Sequence, residues 1–255
     1  MKVLRHLSSA LKAPLKRRLA FWVRQLSRDL DLAQMRIAVE ESAAFLIENA
    51  PRATSQETKF DLLNAAMMAV SVNGLICEFG VFRGETINHL ASLTDATVHG
   101  FDSFEGLPED WRSGFEQGIF RCDGFPAVRP NVILHKGLFH ESLPGFLADH
   151  HEDVAFMHID CDLYSSTRTV LELLRDRIVP GTVIQFDEFL NYPGWQQGEY
   201  RAFSEFRLTN KLEVEWLGYV RKDEQILLRV RALGDTSAER FVAKNCVSEL
   251  QPTRQ

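Results

Sequence analysis

The sequence predicts an α/β fold, a mostly parallel sheet of seven strands with helices on both faces, and three observations carry that prediction. Short apolar runs alternate with segments of helical periodicity from about residue 75 to residue 208, the pattern of strands joined by helical crossovers. The runs end in acids or glycines (Glu78 and Gly80, Asp102, Gly137, Asp160, Asp187), which is where an open α/β sheet presents its ligand-binding edge. Two further runs near the C-terminus, 214–220 and 225–230, are separated only by a polar turn and read as an antiparallel hairpin.

The elements follow in order. Residues 29–49 carry Leu30, Ala33, Ile37, Phe45 and Leu46 at helical spacing until Pro51 ends the helix, and 58–70 reads as a second helix. The first strand is 75–79, followed through a glycine turn by a helix over 85–93. Strands are expected at 97–101 and 131–134, then a turn at His135-Lys136-Gly137 and a short helix near 143–148. A strand at 154–159 runs into Asp160-Cys161-Asp162, and the helix 166–177 stops at Pro180-Gly181. A strand at 182–186, a helix at 200–208 and the hairpin complete the series. The expected organisation is an N-terminal basic, helical extension (1–57), a core domain (58–233) and a polar tail (234–255).

Composition bounds the function. The 255 residues carry a formal charge of −6, but residues 1–28 hold eight bases (Lys2, Arg5, Lys12, Lys16, Arg17, Arg18, Arg24, Arg28) and no acid. The remainder has 21 basic against 35 acidic side chains, a formal −14. An acidic body with no aromatic–basic RNA motif argues against a nucleic-acid partner. The basic segment, with Leu4, Leu7, Leu11, Leu15, Leu19 and Trp22 near helical spacing and Pro14 interrupting, suits peripheral contact with an anionic membrane, a homo-oligomer contact, or an extension docked on the acidic body. No apolar run reaches the roughly 18–20 residues of a membrane span, and no secretory signal is recognisable. Cys77, Cys122, Cys161 and Cys246 are scattered without a C-x-x-C pair, which fits reduced thiols and a cytoplasmic location.

The most telling stretch is Glu78-Phe79-Gly80-Val81-Phe82-Arg83-Gly84, a strand end, a glycine turn and a helix start. Its G-x-x-x-G spacing lacks the third glycine of a dinucleotide fingerprint. Glu78 would repel a pyrophosphate but accept hydrogen bonds from an amino group, which points to S-adenosylmethionine (SAM) rather than NAD. Asp102, 22 residues after Gly80, suits a carboxylate holding a ribose diol, or a turn aspartate capping Asp102-Ser103-Phe104. Asp160, Asp162, Asp187 and Glu188 converge if their two strands are neighbours. Such a set calls for a cation or a shared proton, and hard oxygen donors favour Mg²⁺ over Zn²⁺. Asp160 is the preferred base and ligand, while His158 reads as a strand or core histidine.

Four stretches together resemble one family: residues 78–84, Gly100 to Pro108, His158 to Thr167, and Phe186-Asp187-Glu188. They are similar to those of the macrocin O-methyltransferase (TylF) family, Rossmann-like class I SAM-dependent enzymes, over about residues 60–231. The resemblance implies a SAM-dependent O-methyltransferase acting with Mg²⁺ on a hydroxyl of a small glycoside, sugar or glycan. It implies that Glu78, Gly80 and Gly84 hold the methionine part of SAM, that Asp102 and Ser103 hold its ribose, and that Gly137 lies near the adenine. Asp160, Asp187 and Glu188 match the family's metal carboxylates, with Asp160 also the base. The family usually has two adjacent aspartates where this chain has Asp187-Glu188, which puts the metal geometry in question. Asn191 to Trp195 is expected to form a substrate lid, with Trp195 either stacked on a sugar or packed in the loop. Arg83 is a candidate for the SAM carboxylate or an acidic substrate, and His140 for a base in a metal-free mechanism. Two other readings stay open: a metal-independent methyltransferase for a lipid-linked or polyphenolic acceptor, and a SAM-binding subunit without catalysis.

Overall fold

The alternation of strands and helices folds into one sheet, whose strand order explains why the acidic strand ends meet. The structure, a computed structural model, describes residues 16–234 together with residue 14. Its helices are α1 (16–26), α2 (Leu30–Asn49), α3 (Lys59–Ala69), α4 (Glu85–Ser92), α5 (Phe139–Asp149), α6 (Tyr164–Leu174) and α7 (Glu199–Thr209). Its strands are β1 (Thr54–Gln56), β2 (Leu75–Phe79), β3 (Val98–Asp102), β4 (Val132–Lys136), β5 (Val154–Ile159), β6 (Val183–Phe186), β7 (Glu213–Val220) and β8 (Ile226–Ala232). The order across the sheet is β1-β7-β8-β6-β5-β2-β3-β4. Strands β2 to β6 pair in parallel, and β8 runs antiparallel to both β6 and β7.

Period-two alternation sends side chains to two apolar layers. Cys77 and Phe79 of β2, with Met157 and Ile159 of β5, face α5, α6 and α7 through Leu143, Phe146, Val170, Leu171 and Phe203. Ile76 and Phe156 face the other way, onto Leu62, Leu63 and Ala66 of α3 and Ile87 and Leu90 of α4. Helix starts are fixed by side chains. Asp29 Oδ1 accepts from the backbone N–H groups of Asp31 and Leu32 (3.1 Å each), and Thr58 and Asp61 form a reciprocal capping box at α3.

The structure corrects the expectation in three places. The sheet has eight strands among the described residues, because the polar stretch Thr54–Gln56 pairs in parallel with β7 (Thr54 opposite Gly218). A boundary at 57/58 therefore separates β1 from the helix that follows it. Helix α5 starts at Phe139 rather than near 143, because the Glu141 carboxylate folds back to accept from the Leu138 N–H (3.3 Å). Helix α6 starts two residues early, at Tyr164, and ends in a 3₁₀ turn at Arg175–Arg177. The tail beyond residue 234, and Lys2, Arg5 and Lys12 of the basic segment, lie outside the described residues. Among the described residues, no helix is long and apolar enough to cross a membrane.

Candidate active site

The carboxyl ends of β2 to β6 border a cavity of about 620 Å³. Its floor depends on the first glycine of the turn. Gly80 has φ +95°, and a Cβ there would lie 1.6 Å from the Asp160 carbonyl oxygen, so only glycine lets the end of β2 pass beside β5. Asp102 holds the turn from the next strand. Its Oδ2 accepts from the N–H groups of Val81 and Phe82 (2.8 Å each), and its Oδ1 from that of Phe104 (2.6 Å). These bonds keep Phe82 in the left-handed region at φ +47°. Asp102 thus lines the cavity and also does the turn-capping work. Ser103 and Gly137 line it too, and the Gly137 N–H donates to the Asp102 carbonyl (3.0 Å).

Two expected ligand residues take supporting places. Glu78 is fully buried and does not line the cavity. Its Oε1 accepts from the Thr86 hydroxyl (3.0 Å) and its Oε2 pairs with His158 Nδ1 (3.1 Å). Gly84 begins α4 in the left-handed conformation (φ +80°) against Pro126, also away from the cavity lining.

From Glu78 a line of buried hydrogen bonds crosses the sheet. His158 Nε2 meets Asp187 Oδ1 (3.3 Å), and Asp187 Oδ2 accepts from Gln225 Nε2 (3.2 Å), so the line spans β2, β5, β6 and the start of β8. Burial alone would lower the His158 pKa, but hydrogen bonds to Asp187 and Glu78 prevail and raise it to about 10. Asp187 responds in kind: burial would raise its pKa, yet His158 and the Lys59 ammonium 3.9 Å away hold it below the usual carboxylate value.

The other acids go the opposite way. Burial and the nearby Asp187 raise Asp160 well above its ordinary value, and push Asp162 up to about 7. Burial together with Asp162, Asp187 and Asp160 raises Glu188 well above its own. Asp160, Asp162, Asp187 and Glu188 all line the cavity. Asp162 sits in the left-handed region at φ +63°.

This donor set fits a hard divalent cation. Asp160 and Asp187 each place an oxygen within 4.8 Å of the other and of a His158 nitrogen. Both His158 nitrogens face carboxylates, Nδ1 that of Glu78 and Nε2 that of Asp187, so its ring is engaged in the buried hydrogen-bond line. Glu188 lies outside that three-residue group, but its Oε2 is buried without a hydrogen-bond partner among the described residues, an oxygen left for a cation. Asp160 and Asp187, with Glu188 beside them, could hold a hard divalent cation such as Mg²⁺. Glu199, which no sequence motif singles out, steadies them: its carboxylate accepts from the N–H groups of Cys161 (3.4 Å) and Glu188 (3.2 Å), and burial pushes its own pKa up to about 8. Lys59, at the start of α3, is a second residue that pattern reading missed.

The cover over the cavity is not the expected one. Tyr192 and Trp195 are buried, with Trp195 packed against Tyr200 (ring centroids 4.7 Å) and Phe45 (5.9 Å), so Trp195 cannot stack on a ligand. Instead Leu107, Pro108, Trp111, Phe115 and Phe120, all from the connection between β3 and β4, face the cavity. Arg112 ties this connection down. It lies 3.9 Å over the Trp111 ring and 4.6 Å over that of Tyr192, and donates through one nitrogen to both oxygens of Glu224 (3.0 and 2.9 Å). Arg83 lines the cavity beside Phe82, and His140 lines it from the first turn of α5 while remaining largely exposed.

The chain is similar to known proteins in part of its sequence and in its fold. Residues 117–217 match the family described as macrocin-O-methyltransferase (TylF). The fold is similar to that of the calicheamicin methyltransferase CalS11, at 24% identity over 77% of this chain and 91% of that one, with a TM-score of 0.56. It is also similar to the O-methyltransferase NovP, at 21% identity over 68% of this chain and 79% of that one, with a TM-score of 0.52. No curated protein matches the chain. The matched segment carries the acids of β5 and β6, so over residues 117–217 the chain is similar to the macrocin-O-methyltransferase (TylF) family, and its fold is similar to that of O-methyltransferases.

Proposed function

We propose that this protein transfers the methyl group of SAM to a hydroxyl of a sugar, small glycoside or glycan, with Mg²⁺ held by Asp160, Asp187 and Glu188. One observation carries the proposal: the four acids of β5 and β6 open into the same cavity as the Gly80 turn and Asp102. A donor bound along the turn and an acceptor bound at the acids would share one cavity. The solved structure described as a TDP-rhamnose 3'-O-methyltransferase, 22% identical over 77% of this chain and 93% of that one with a TM-score of 0.50, acts on a sugar by its own description and supports this acceptor class.

The chain's residues divide the work. Backbone of the Gly80 to Arg83 turn, with Asp102, Ser103 and Gly137, borders the donor side. Asp160, Asp162, Ser165, Ser166 and Thr169 offer acceptors and donors to a hydroxylated acceptor. Asp160, at the tip of β5, takes the proton of the reacting hydroxyl on a carboxylate oxygen. Its raised affinity for a proton suits that task. When bound, Mg²⁺ supplies Lewis-acid polarisation and keeps the carboxylates ionised. The Leu107 to Phe120 cover excludes water from the sulfonium. The test is methyl transfer in excess EDTA and after Mg²⁺ is restored. Activity should disappear and return, whereas full turnover in EDTA would remove the metal from the proposal.

A further inference from the structure

Ten large apolar side chains between residues 19 and 39 are exposed, and every described residue from 16 to 36 is exposed as well. Helix α1 and the first two turns of α2 therefore stand clear of the body. At about 100° per residue, Leu19, Trp22, Val23 and Leu26 share one face of α1, opposite Arg17 and Arg24. A lone helix of this length is marginal in water, where helices shorter than roughly 12–15 residues seldom persist without packing. Exposed apolar side chains gathered on one helix face mark an interaction site.

Charge identifies what covers it. Between residues 16 and 28, α1 and its turn hold Lys16, Arg17, Arg18, Arg24 and Arg28 and no acid. The α2 segment carries Asp29, Asp31, Glu40, Glu41 and Glu48 against the single base Arg36. An anionic membrane would attract α1 but repel α2, although α2 too exposes apolar side chains, with Leu30 and Ile37 on one face. Pairing α1 with another α1 would set five bases against five. A second copy related by a two-fold axis resolves both conflicts, because α1 of each copy then meets α2 of the other, twice over.

We propose that the α1–α2 surface is the dimer interface of this protein, with the basic, apolar α1 of one copy laid on the acidic, apolar α2 of its partner. The interface connects to the active site through α2. The Ser42 hydroxyl accepts from the Asn191 N–H (2.8 Å), and the Phe45 ring packs on Phe189 (6.1 Å) and Trp216 (5.4 Å), so α2 supports the segment that follows Glu188. This holds whether or not the acceptor is a sugar.

Sedimentation equilibrium of the full chain tests the interface. The wild type should run at twice its 29.1 kDa, and the double variant Trp22→Glu/Leu26→Glu should run as a monomer that still binds S-adenosylhomocysteine (SAH), the binding showing that the body is folded. Charge reversal tests the pairing. A chain with Arg17→Glu, Arg18→Glu and Arg24→Glu, and another with Asp31→Lys, Glu40→Lys and Glu41→Lys, should each self-associate at least tenfold more weakly than wild type. Mixed together, the two should form heterodimers. A monomeric wild type would overturn the proposal, and co-sedimentation of that monomer with phosphatidylserine vesicles would assign the surface to a membrane instead. Dimers that survive Trp22→Glu/Leu26→Glu, or reversed chains that do not pair on mixing, would overturn it as well.

Discussion

Replacing His158 with glutamine should cost this protein a large part of its stability, and the structure sets the size. His158 lies fully buried between Glu78 and Asp187, both also buried, and its imidazolium is the charge that keeps the two carboxylates in place. Removing one partner from a buried ion pair costs about 3–5 kcal/mol, because the remaining charge is left uncompensated. The pKa argument gives the same order: a rise from 6.5 to about 10, at about 1.36 kcal/mol per unit, corresponds to about 5 kcal/mol. The sign follows from the raised folded-state value. The stabilisation is complete below pH 6.5 and is lost as pH climbs through about 10. Urea unfolding of wild type and His158→Gln, in EDTA so that no cation intervenes, should show a gap of about 3–5 kcal/mol at pH 6 that narrows by pH 9.5. A variant within about 1 kcal/mol of wild type at pH 6 would refute the reasoning, since that is within reach of one ordinary hydrogen bond. So would a gap that does not change with pH.

Other substitutions separate the two sides of the cavity. Asp160→Asn should lower methyl transfer by roughly 10²–10⁴-fold, the usual worth of a positioned general base, while SAH binding measured by calorimetry stays near wild type. Gly80→Ala puts a Cβ 1.6 Å from the Asp160 carbonyl oxygen and should destabilise the fold by on the order of 3 kcal/mol. It should also weaken SAH binding, both readable in a thermal shift with and without ligand. Arg112→Ala releases the cover from Glu224. Because that ion pair is partly exposed (29% and 20%), stability should fall by only about 1 kcal/mol. The KM for the acceptor should rise more than kcat falls.

The sheet was legible because its strands are apolar runs punctuated by chemistry. The limits of β2 and β5 match the expectation, and both end in the residues that make the site. β1 was invisible because Thr-Ser-Gln has neither alternation nor an apolar residue, and it becomes a strand only through β7 beside it. Strand-end position alone located Asp102, Asp160, Asp187 and Glu188. It did not reveal that Glu78 points beneath the cavity to His158, since facing direction depends on the neighbouring strand. The pairing of β2 with β5 sets Glu78 opposite His158. Lys59, Glu199 and Gln225 join the site from helix starts and a hairpin far away in sequence, where no local pattern distinguishes them. The cover was misplaced for a related reason. Tyr192-Pro193-Gly194-Trp195 has the composition of a lid, but α2 brings Phe45 down on Trp195 and buries it.

The central claim is that donor and acceptor meet in one cavity and that the acceptor atom is an oxygen. Mass spectrometry of a panel of glycosides incubated with the protein, Mg²⁺ and SAM labelled as CD₃ tests it most directly. A +CD₃ product with the label on a sugar oxygen is expected, lowered by roughly 10²–10⁴-fold with Asp160→Asn and absent in EDTA. Label appearing on nitrogen or carbon, or no transfer to any glycoside while calorimetry shows SAM bound, would contradict it.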